Sequence, residues 1–183
     1  MVHTIEEAII IGDQEFEGEI LVFGRDCIVV GNIKANVVRV YGDRLTVIGS
    51  IETKNEILCR GSLFATGTIE SQQKDITVGG SLVAGLSIIA KRGDIKAGKF
   101  LEAIEGEIFS KDGLIEAHDG PIKAGKCVFG RRIVAHGEHE IFAGLNNPTA
   151  IYPDQHVGAL EAIGKIGHGQ LQPGTRVIEP TRE

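Results

Sequence analysis

The amino-acid sequence predicts an all-β fold, a three-sided parallel β-helix with about 18–20 residues in each coil. A short unit, Gly-x-Ile/Leu-x-Ala/Ser/Thr, recurs every six to seven residues along the middle of the chain. Three units make a longer period, as expected of a solenoid whose coils stack on one another. Glycine supplies 25 of the 183 residues and aromatic residues only 5%, which indicates many tight turns around an aliphatic core.

Each short unit is interpreted as one strand followed by a corner. The units occupy residues 49–53, 61–65, 67–71, 80–84, 93–97, 106–110, 113–117 and 120–124. Within a unit, the large aliphatic residue and the small residue are two positions apart, so both side chains point to the same side of a strand. The residue between them points outward. A helix is a poor alternative, because a glycine in a helix interior costs about 1 kcal/mol. An antiparallel sandwich is a better alternative, but it does not require a fixed long period.

The aliphatic residues of successive coils fall into three columns. These are Ile33, Ile51, Ile69, Ile88 and Ile108; Leu45, Leu63, Leu82, Leu101, Ile122 and Ile141; and Ile57, Ile76, Ile95, Ile115 and Ile133. Three columns predict three faces, on which parallel strands pair at about 4.8 Å and stack their aliphatic side chains inside.

The repeat is clear from about Ile20 to Ala143, and this range sets the predicted domain boundaries. Residues 20–144 are predicted to form the β-helix, residues 1–19 an N-terminal cap, and residues 145–183 a C-terminal cap and tail. Caps are expected because a solenoid otherwise exposes its core and unpaired strand edges at both ends.

Composition excludes several classes of function. The formal net charge is −6, whereas a nucleic-acid or anionic-membrane binder needs a basic surface. The sequence contains no run of about 18 apolar residues, so no membrane span is predicted. The N-terminus lacks the features of a signal peptide. Cys27, Cys59 and Cys127 are odd in number and form no Cys-x-x-Cys pair. Reduced thiols in a cytoplasmic protein are therefore expected.

No pattern of residues predicts catalysis, a metal or a cofactor. His136 and His139, with neighbouring glutamates, form the only local histidine cluster, and we interpret it as a solvated loop because no third His or Cys is close in sequence. His118 precedes Asp119 at a corner, where a turn role is expected. Glu52 and Glu70 lie one coil apart on the outside. Corners this short leave no room for a cleft around a carboxylate pair, so an enzyme is not predicted.

The outward columns carry the prediction of function. One column contains Glu52, Glu70, Ile89, Phe109 and Phe129, and a second face contains Phe64 and Val83. The register at Phe129 is open, since Cys127 instead of Val128 is an alternative inward residue. A ladder of outward apolar side chains indicates a contact surface, so these seven residues are the predicted partner-binding residues. The alternative is that a terminal segment folds back and covers one ladder.

The Gly-x-Ile-x-Ala units and the three-unit coil resemble those of bactofilins, bacterial polymer-forming scaffolds with a right-handed parallel β-helix. The resemblance covers about residues 20–143, and the drift of the period also favours the right-handed form. Left-handed hexapeptide acyltransferases, with coils of about 18 residues, are the third family considered. The resemblance to bactofilins implies a self-assembling cytoskeletal scaffold, although an apolar C-terminal extension of nearly forty residues departs from the short ends typical of that family.

A looser resemblance rests on residues 91–98 and 141–145, which are similar to small Gly-Ile-x-Ala-rich proteins of bacterial toxin-immunity loci. It implies an immunity or antitoxin-type protein that binds and neutralises a toxin. A basic nuclease toxin domain is the expected partner, because an acidic surface steers association with a basic protein. The function hypothesis is therefore a non-enzymatic, protein-binding β-helix without cofactors, and the self-assembling scaffold is the alternative.

Overall fold

The chain winds into a parallel β-solenoid. The computed structural model describes residues 1–6, 8–144 and 156–178, and every regular element in these ranges is a β-strand. The strands are, in chain order, β1 Val2–Ile5, β2 Ile9–Ile11, β3 Gln14–Val22, β4 Asp26–Val30, β5 Ile33–Val40, β6 Arg44–Ile48, β7 Ile51–Thr53, β8 Ile57–Cys59, β9 Ser62–Ala65, β10 Ile69–Ser71, β11 Ile76–Val78, β12 Leu82–Ala84, β13 Ile88–Ala90, β14 Ile95–Ala97, β15 Leu101–Ala103, β16 Ile108–Ser110, β17 Leu114–Ala117, β18 Ile122–Ala124, β19 Val128–Phe129, β20 Arg132–Ala135, β21 Glu140–Ala143, β22 His156–Gly158, β23 Glu161–Ile163, β24 Lys165–His168, β25 Gln170–Leu171 and β26 Arg176–Ile178.

The strands form three faces, as the sequence predicts. Face 1 contains the first parts of β3 and β5 and then β7, β10, β13, β16, β19, β22 and β25. Face 2 contains β1, the second parts of β3 and β5, and then β8, β11, β14, β17, β20, β23 and β26. Face 3 contains β2, β4, β6, β9, β12, β15, β18, β21 and β24. Nine strands on face 3 correspond to nine coils within the described residues.

The interior is made of aliphatic columns, and the predicted columns are confirmed. On face 1, for example, Ile51, Ile69, Ile88 and Ile108 pair in register and are at most 1% exposed. Burying an aliphatic side chain of this size stabilises a fold by roughly 1.5–3 kcal/mol. Because every coil buries such side chains, the aliphatic columns stabilise the protein although it has no tryptophan.

Buried hydroxyls hold the corner between face 1 and face 2. Thr53, Ser71 and Ser110 take the small inward position at the end of face 1 and are fully buried. The Ser110 hydroxyl donates a hydrogen bond to the Gly93 carbonyl (2.7 Å) and accepts one from the Gly113 N–H (3.0 Å). Buried polar groups are tolerated when hydrogen-bonded in this way, so these hydroxyls fix the backbone that leads out of face 1.

The ladders extend further than the sequence repeat does. Strands β1 and β2, within residues 1–19, pair in parallel with β3 and β4. Strands β22 to β26, within residues 145–183, continue the three faces. Parts of both segments assigned to caps are thus paired as coils, although few of their residues follow the Gly-x-Ile-x-Ala pattern. Parallel strands pair through backbone hydrogen bonds, so a segment can form part of a coil even when its own side chains do not follow the Gly-x-Ile-x-Ala pattern.

The corners are tight because successive coils approach closely. A side chain at Gly42 or Gly61 would overlap the backbone carbonyl of the coil below, at Gly24 and Asp43 respectively. Such positions accept only glycine, which explains the abundance of this residue. The described ranges contain no helix long and apolar enough to cross a bilayer.

Candidate functional site

The predicted outward column of face 1 is in register from coil to coil. Glu52 pairs with Glu70, Glu70 with Ile89, Ile89 with Phe109 and Phe109 with Phe129. Val128 is fully buried, so Phe129 points outward, and the open question of register at this coil is resolved. We call Ile89, Phe109 and Phe129 the apolar ladder. Its three side chains are half-buried, and the binding role predicted for them stays a prediction.

The ladder ends on the backbone of the next coil. The Phe109 and Phe129 rings stack with centroids 6.1 Å apart and planes inclined by 28°. A Cβ atom at Gly158, the next outward position, would lie 2.6 Å from Cε2 of Phe129. The ring therefore lies against this glycine, and any side chain there would displace it. The glycine allows the aromatic surface to lie close to the coil.

The other half of the same column is mainly acidic and consists of Glu15, Lys34, Glu52 and Glu70. The Glu70 carboxylate forms an ion pair with Lys91 (2.6 Å) and accepts a hydrogen bond from the Gln72 amide (2.6 Å). Glu52 is exposed at the preceding coil. Face 1 thus changes from carboxylates to apolar groups between Glu70 and Ile89, while its interior stays the same.

Two open grooves lie along the corner beside the apolar ladder, each with a volume of about 700 Å³. Lys111 and Asp112 line both grooves, and Phe109 lines one while Phe129 lines the other. Four cations, Lys91, Arg92, Lys111 and Arg131, contribute to the walls. Both grooves are open to solvent, so this corner presents positive charge even though the chain as a whole is acidic.

Phe64 and Val83 also lie where the sequence predicts, paired on the outside of face 3. The structure extends this column towards the N-terminus through Thr46, Ile28 and Ile9. A second outward column, two residues further along each strand, consists of Ile11, Val30 and Ile48. Together these residues form the N-terminal apolar patch, which comprises Ile9, Ile11, Ile28, Val30, Ile48, Phe64 and Val83.

The N-terminal apolar patch is the most exposed apolar surface among the described residues that share one face. Ile9 is 60% exposed, Ile11 83% and Ile48 50%. Sequence reasoning missed Ile9 and Ile11 because residues 1–19 were assigned to a cap, and on this face it named only Phe64 and Val83. The signal was present in the alternating aliphatic residues of β4 and β6, whose strands are longer than those of the later coils.

A third feature lies at the end of face 2, where Glu116, His118 and His136 meet. The His136 Nε2 atom is 2.6 Å from Oε1 of Glu116. The His118 and His136 rings stack at 4.4 Å with planes inclined by 10°. One ligand atom from each residue lies within 4.8 Å of the others. His136 and His139, the cluster that is local in sequence and was interpreted as a solvated loop, are therefore not the histidines that the structure groups.

Stacking of coils explains this group. His118 directly follows Ala117 in β17, His136 directly follows Ala135 in β20, and these two alanines are paired in register. Aligning the sequence coil by coil would have placed the two histidines side by side. Sequence reasoning considered His118 only as a corner residue, and it does lie at the corner that follows β17.

Comparison with known proteins finds no family model, no curated protein and no solved structure that match this chain. The fold and the three surface features therefore carry the functional argument.

Proposed function

We propose that this protein is a non-enzymatic, protein-binding β-helix that acts in the cytoplasm and recognises a partner protein through its outer faces. The observation that carries the proposal is the N-terminal apolar patch, which places exposed isoleucines on one flat face. Single exposed apolar residues are common, but a contiguous apolar patch marks an interaction surface. The apolar ladder on face 1, with its stacked phenylalanines, is a second surface of this kind.

Sheet faces suit protein recognition because the backbone ladder holds their outward side chains at fixed spacings. Each outward residue of the patch pairs with its neighbours through a parallel ladder, so little order must be gained on binding. Interfaces that are ordered beforehand lose less entropy on association, and this increases affinity for a given area.

Photo-crosslinking tests the patch directly. A benzoylphenylalanine placed at Ile48 should capture a partner in cells that express the protein naturally, whereas the same group at Thr77, on the outside of face 2, should not. With the captured partner purified, Ile48→Asp should weaken its binding at least tenfold and Thr77→Asp should leave it unchanged. Equal capture at both positions, or normal binding by the Ile48→Asp variant, would contradict the proposal.

A narrower form of the proposal is an immunity or antitoxin-type inhibitor of a basic toxin, such as a nuclease. The net charge of −6 supports it, and so does the outward column of face 1 before Ile89, in which Glu15, Glu52 and Glu70 outnumber Lys34. Charge reversal separates this form from others. If the partner is basic, Glu52→Lys should slow association strongly, while Lys111→Glu beside the apolar ladder should not. The reverse pattern would indicate an acidic partner that contacts the cationic grooves.

A self-assembling scaffold of the bactofilin kind is the second candidate, and the two ends of the solenoid favour it. Strands β1 and β2 at one end, and β24, β25 and β26 at the other, each pair on one side with another described strand of their own face. Open parallel edges are templates for addition of a further strand.

Electron microscopy and light scattering of the purified chain distinguish the two candidates. A scaffold should form filaments, with a length that increases with protein concentration. A monodisperse species of about one or two chains, stable over a wide concentration range, would rule the scaffold out and leave the partner-binding proposal standing.

A further inference from the structure

We propose that Glu116, His118 and His136 form a binding site for a divalent transition-metal ion of the zinc class, independent of the protein-binding surfaces. The three residues come from two successive coils of face 2 and the corner that follows. Their ligand atoms, one carboxylate oxygen and two imidazole nitrogens, lie within 4.8 Å of one another.

The ligand types select the class of metal. Imidazole nitrogen together with a carboxylate oxygen suits zinc, nickel, copper and cobalt, whereas calcium and magnesium prefer sites made of oxygen alone. Zinc binds nitrogen and oxygen ligands at about 2.0–2.2 Å, so in a tetrahedral site these atoms are roughly 3.3 Å apart. The His136 Nε2 and Glu116 Oε1 atoms are already at 2.6 Å, and small side-chain rotations would bring all three atoms to the required spacing.

The fold holds the ligands on a rigid frame. His118 and His136 follow two alanines that are fully buried and paired, so their Cα atoms occupy equivalent positions in neighbouring coils. In the preceding coil, Gly98 holds the position equivalent to His118, since both residues donate a backbone hydrogen bond to the coil before them. A Cβ atom at Gly98 would overlap the Gly79 carbonyl, so no side chain of the preceding coil stands beside the two imidazoles at this corner. His118 is exposed, so water can complete the coordination.

The cations of the neighbouring coils have closer partners than these ligands, although Lys96 also attracts the Glu116 carboxylate. Lys96 pairs with Glu116 across the sheet, but its ammonium group binds Asp94 at 2.7 Å. On the other side, Lys165 binds Glu140 at 2.6 Å. The carboxylate of Glu116 therefore has the His136 ring as its closest partner, and a metal ion would replace that contact.

Calorimetric titration of the metal-free chain of 183 residues with zinc chloride tests the site. We expect one ion per chain. Residues that merely orient metal ligands change affinity by 10–100-fold, so loss of a ligand should weaken binding at least about tenfold in the His118→Asn and His136→Asn variants. Glu116→Gln should also weaken binding. His139→Asn is the matched control, because His139 is close in sequence but outside the group, and it should bind zinc like the original chain.

A spectroscopic measurement assigns the ligands. The imidazole resonances of His118 and His136 should shift together on addition of one equivalent of zinc, and those of His139 should stay in place. Circular dichroism of each metal-free variant should match that of the original chain, since none of Glu116, His118, His136 and His139 is buried. The proposal is overturned if the chain binds no zinc, if His118→Asn binds with unchanged affinity, or if His139→Asn abolishes binding.

Discussion

The two halves of face 1 share an interior and differ outside. Ile69 and Ile88 are both fully buried and paired with each other, yet the next residue is Glu70 in one coil and Ile89 in the following one. The inner position must be aliphatic because it fills the core of every coil. The outer position is not constrained by the coil, so its chemistry reflects what the surface contacts. Function in this protein is therefore to be sought in changes along the outward columns.

The largest effect on stability is expected from a substitution at an inward position of face 1. Ile88→Ala should lower the free energy of unfolding by about 2–5 kcal/mol, because it leaves a cavity in a packed column. Ile89→Ala, the same change at the adjacent outward position, should cost about 1 kcal/mol or less. Urea denaturation followed by circular dichroism measures both. Equal losses would mean that another segment covers Ile89.

A thiol inside the coil provides a second test. Burial raises the pKa of Cys59 from its ordinary value of 9.0 to about 11. The folded state therefore keeps a proton that the unfolded state releases, so the free energy of unfolding should decrease as the pH rises from about 9 to about 11, by on the order of 2 kcal/mol.

The Cys59→Ala variant is the control for this pH dependence. Because the variant has no thiol at this position, its free energy of unfolding should decrease less between about pH 9 and about pH 11. Urea denaturation at a series of pH values measures the difference. If the two proteins lose stability in parallel over this range, Cys59 is not shielded from water in the way that its position indicates.

The buried hydroxyls at the corner of face 1 should contribute less to the free energy of unfolding than the inward isoleucines do. Ser110→Ala removes the partner of both the Gly93 carbonyl and the Gly113 N–H, and should cost about 1–3 kcal/mol. Ser50→Ala, which removes one hydrogen bond from the Thr68 N–H at a half-buried position, should cost at most about 1 kcal/mol. A larger loss for Ser50→Ala would reverse the order that burial predicts.

The smallest effect is expected at the acidic half of the column. Glu70→Gln removes the ion pair with Lys91, whose side chain is 50% exposed. Because exposed ion pairs are screened by solvent, the loss should be below about 1 kcal/mol in urea denaturation. Thermal melts in low and high salt provide a check, since the difference between the two proteins should shrink as salt is added.

Much of this architecture was predictable from the sequence, because the coil repeats the same inward chemistry. The period identified Ile51, Ile69 and Ile88 as one column and placed Phe109 on the outside, whereas the register at Phe129 was resolved only by the structure. The first coils were harder to predict. Strands β3 and β5 are long and run from face 1 into face 2 without a break, so the short separate units of the later coils are not visible there, even though β3 has Gly18 where the two faces meet.

The candidate sites were less predictable because they depend on neighbours across coils. His118 and His136 are far apart in sequence and adjacent in space, and only the coil register relates them. Net charge was likewise a poor guide to local charge. The chain carries −6, yet Arg92, Lys111 and Arg131 line the grooves beside the apolar ladder.

The spacing of the coils also limits the shape of a partner. Outward side chains of the apolar ladder repeat at about 4.8 Å along the axis, whereas an α-helix rises about 5.4 Å per turn. A helix laid along the axis would drift by about 0.6 Å per coil. Its turns would stay nearly aligned with the outward side chains of Ile89, Phe109 and Phe129. Over the nine coils, however, the turns of the helix would no longer face the outward side chains. Contacts with a helical partner are thus confined to short stretches, whereas a partner built from stacked parallel strands would match the whole length.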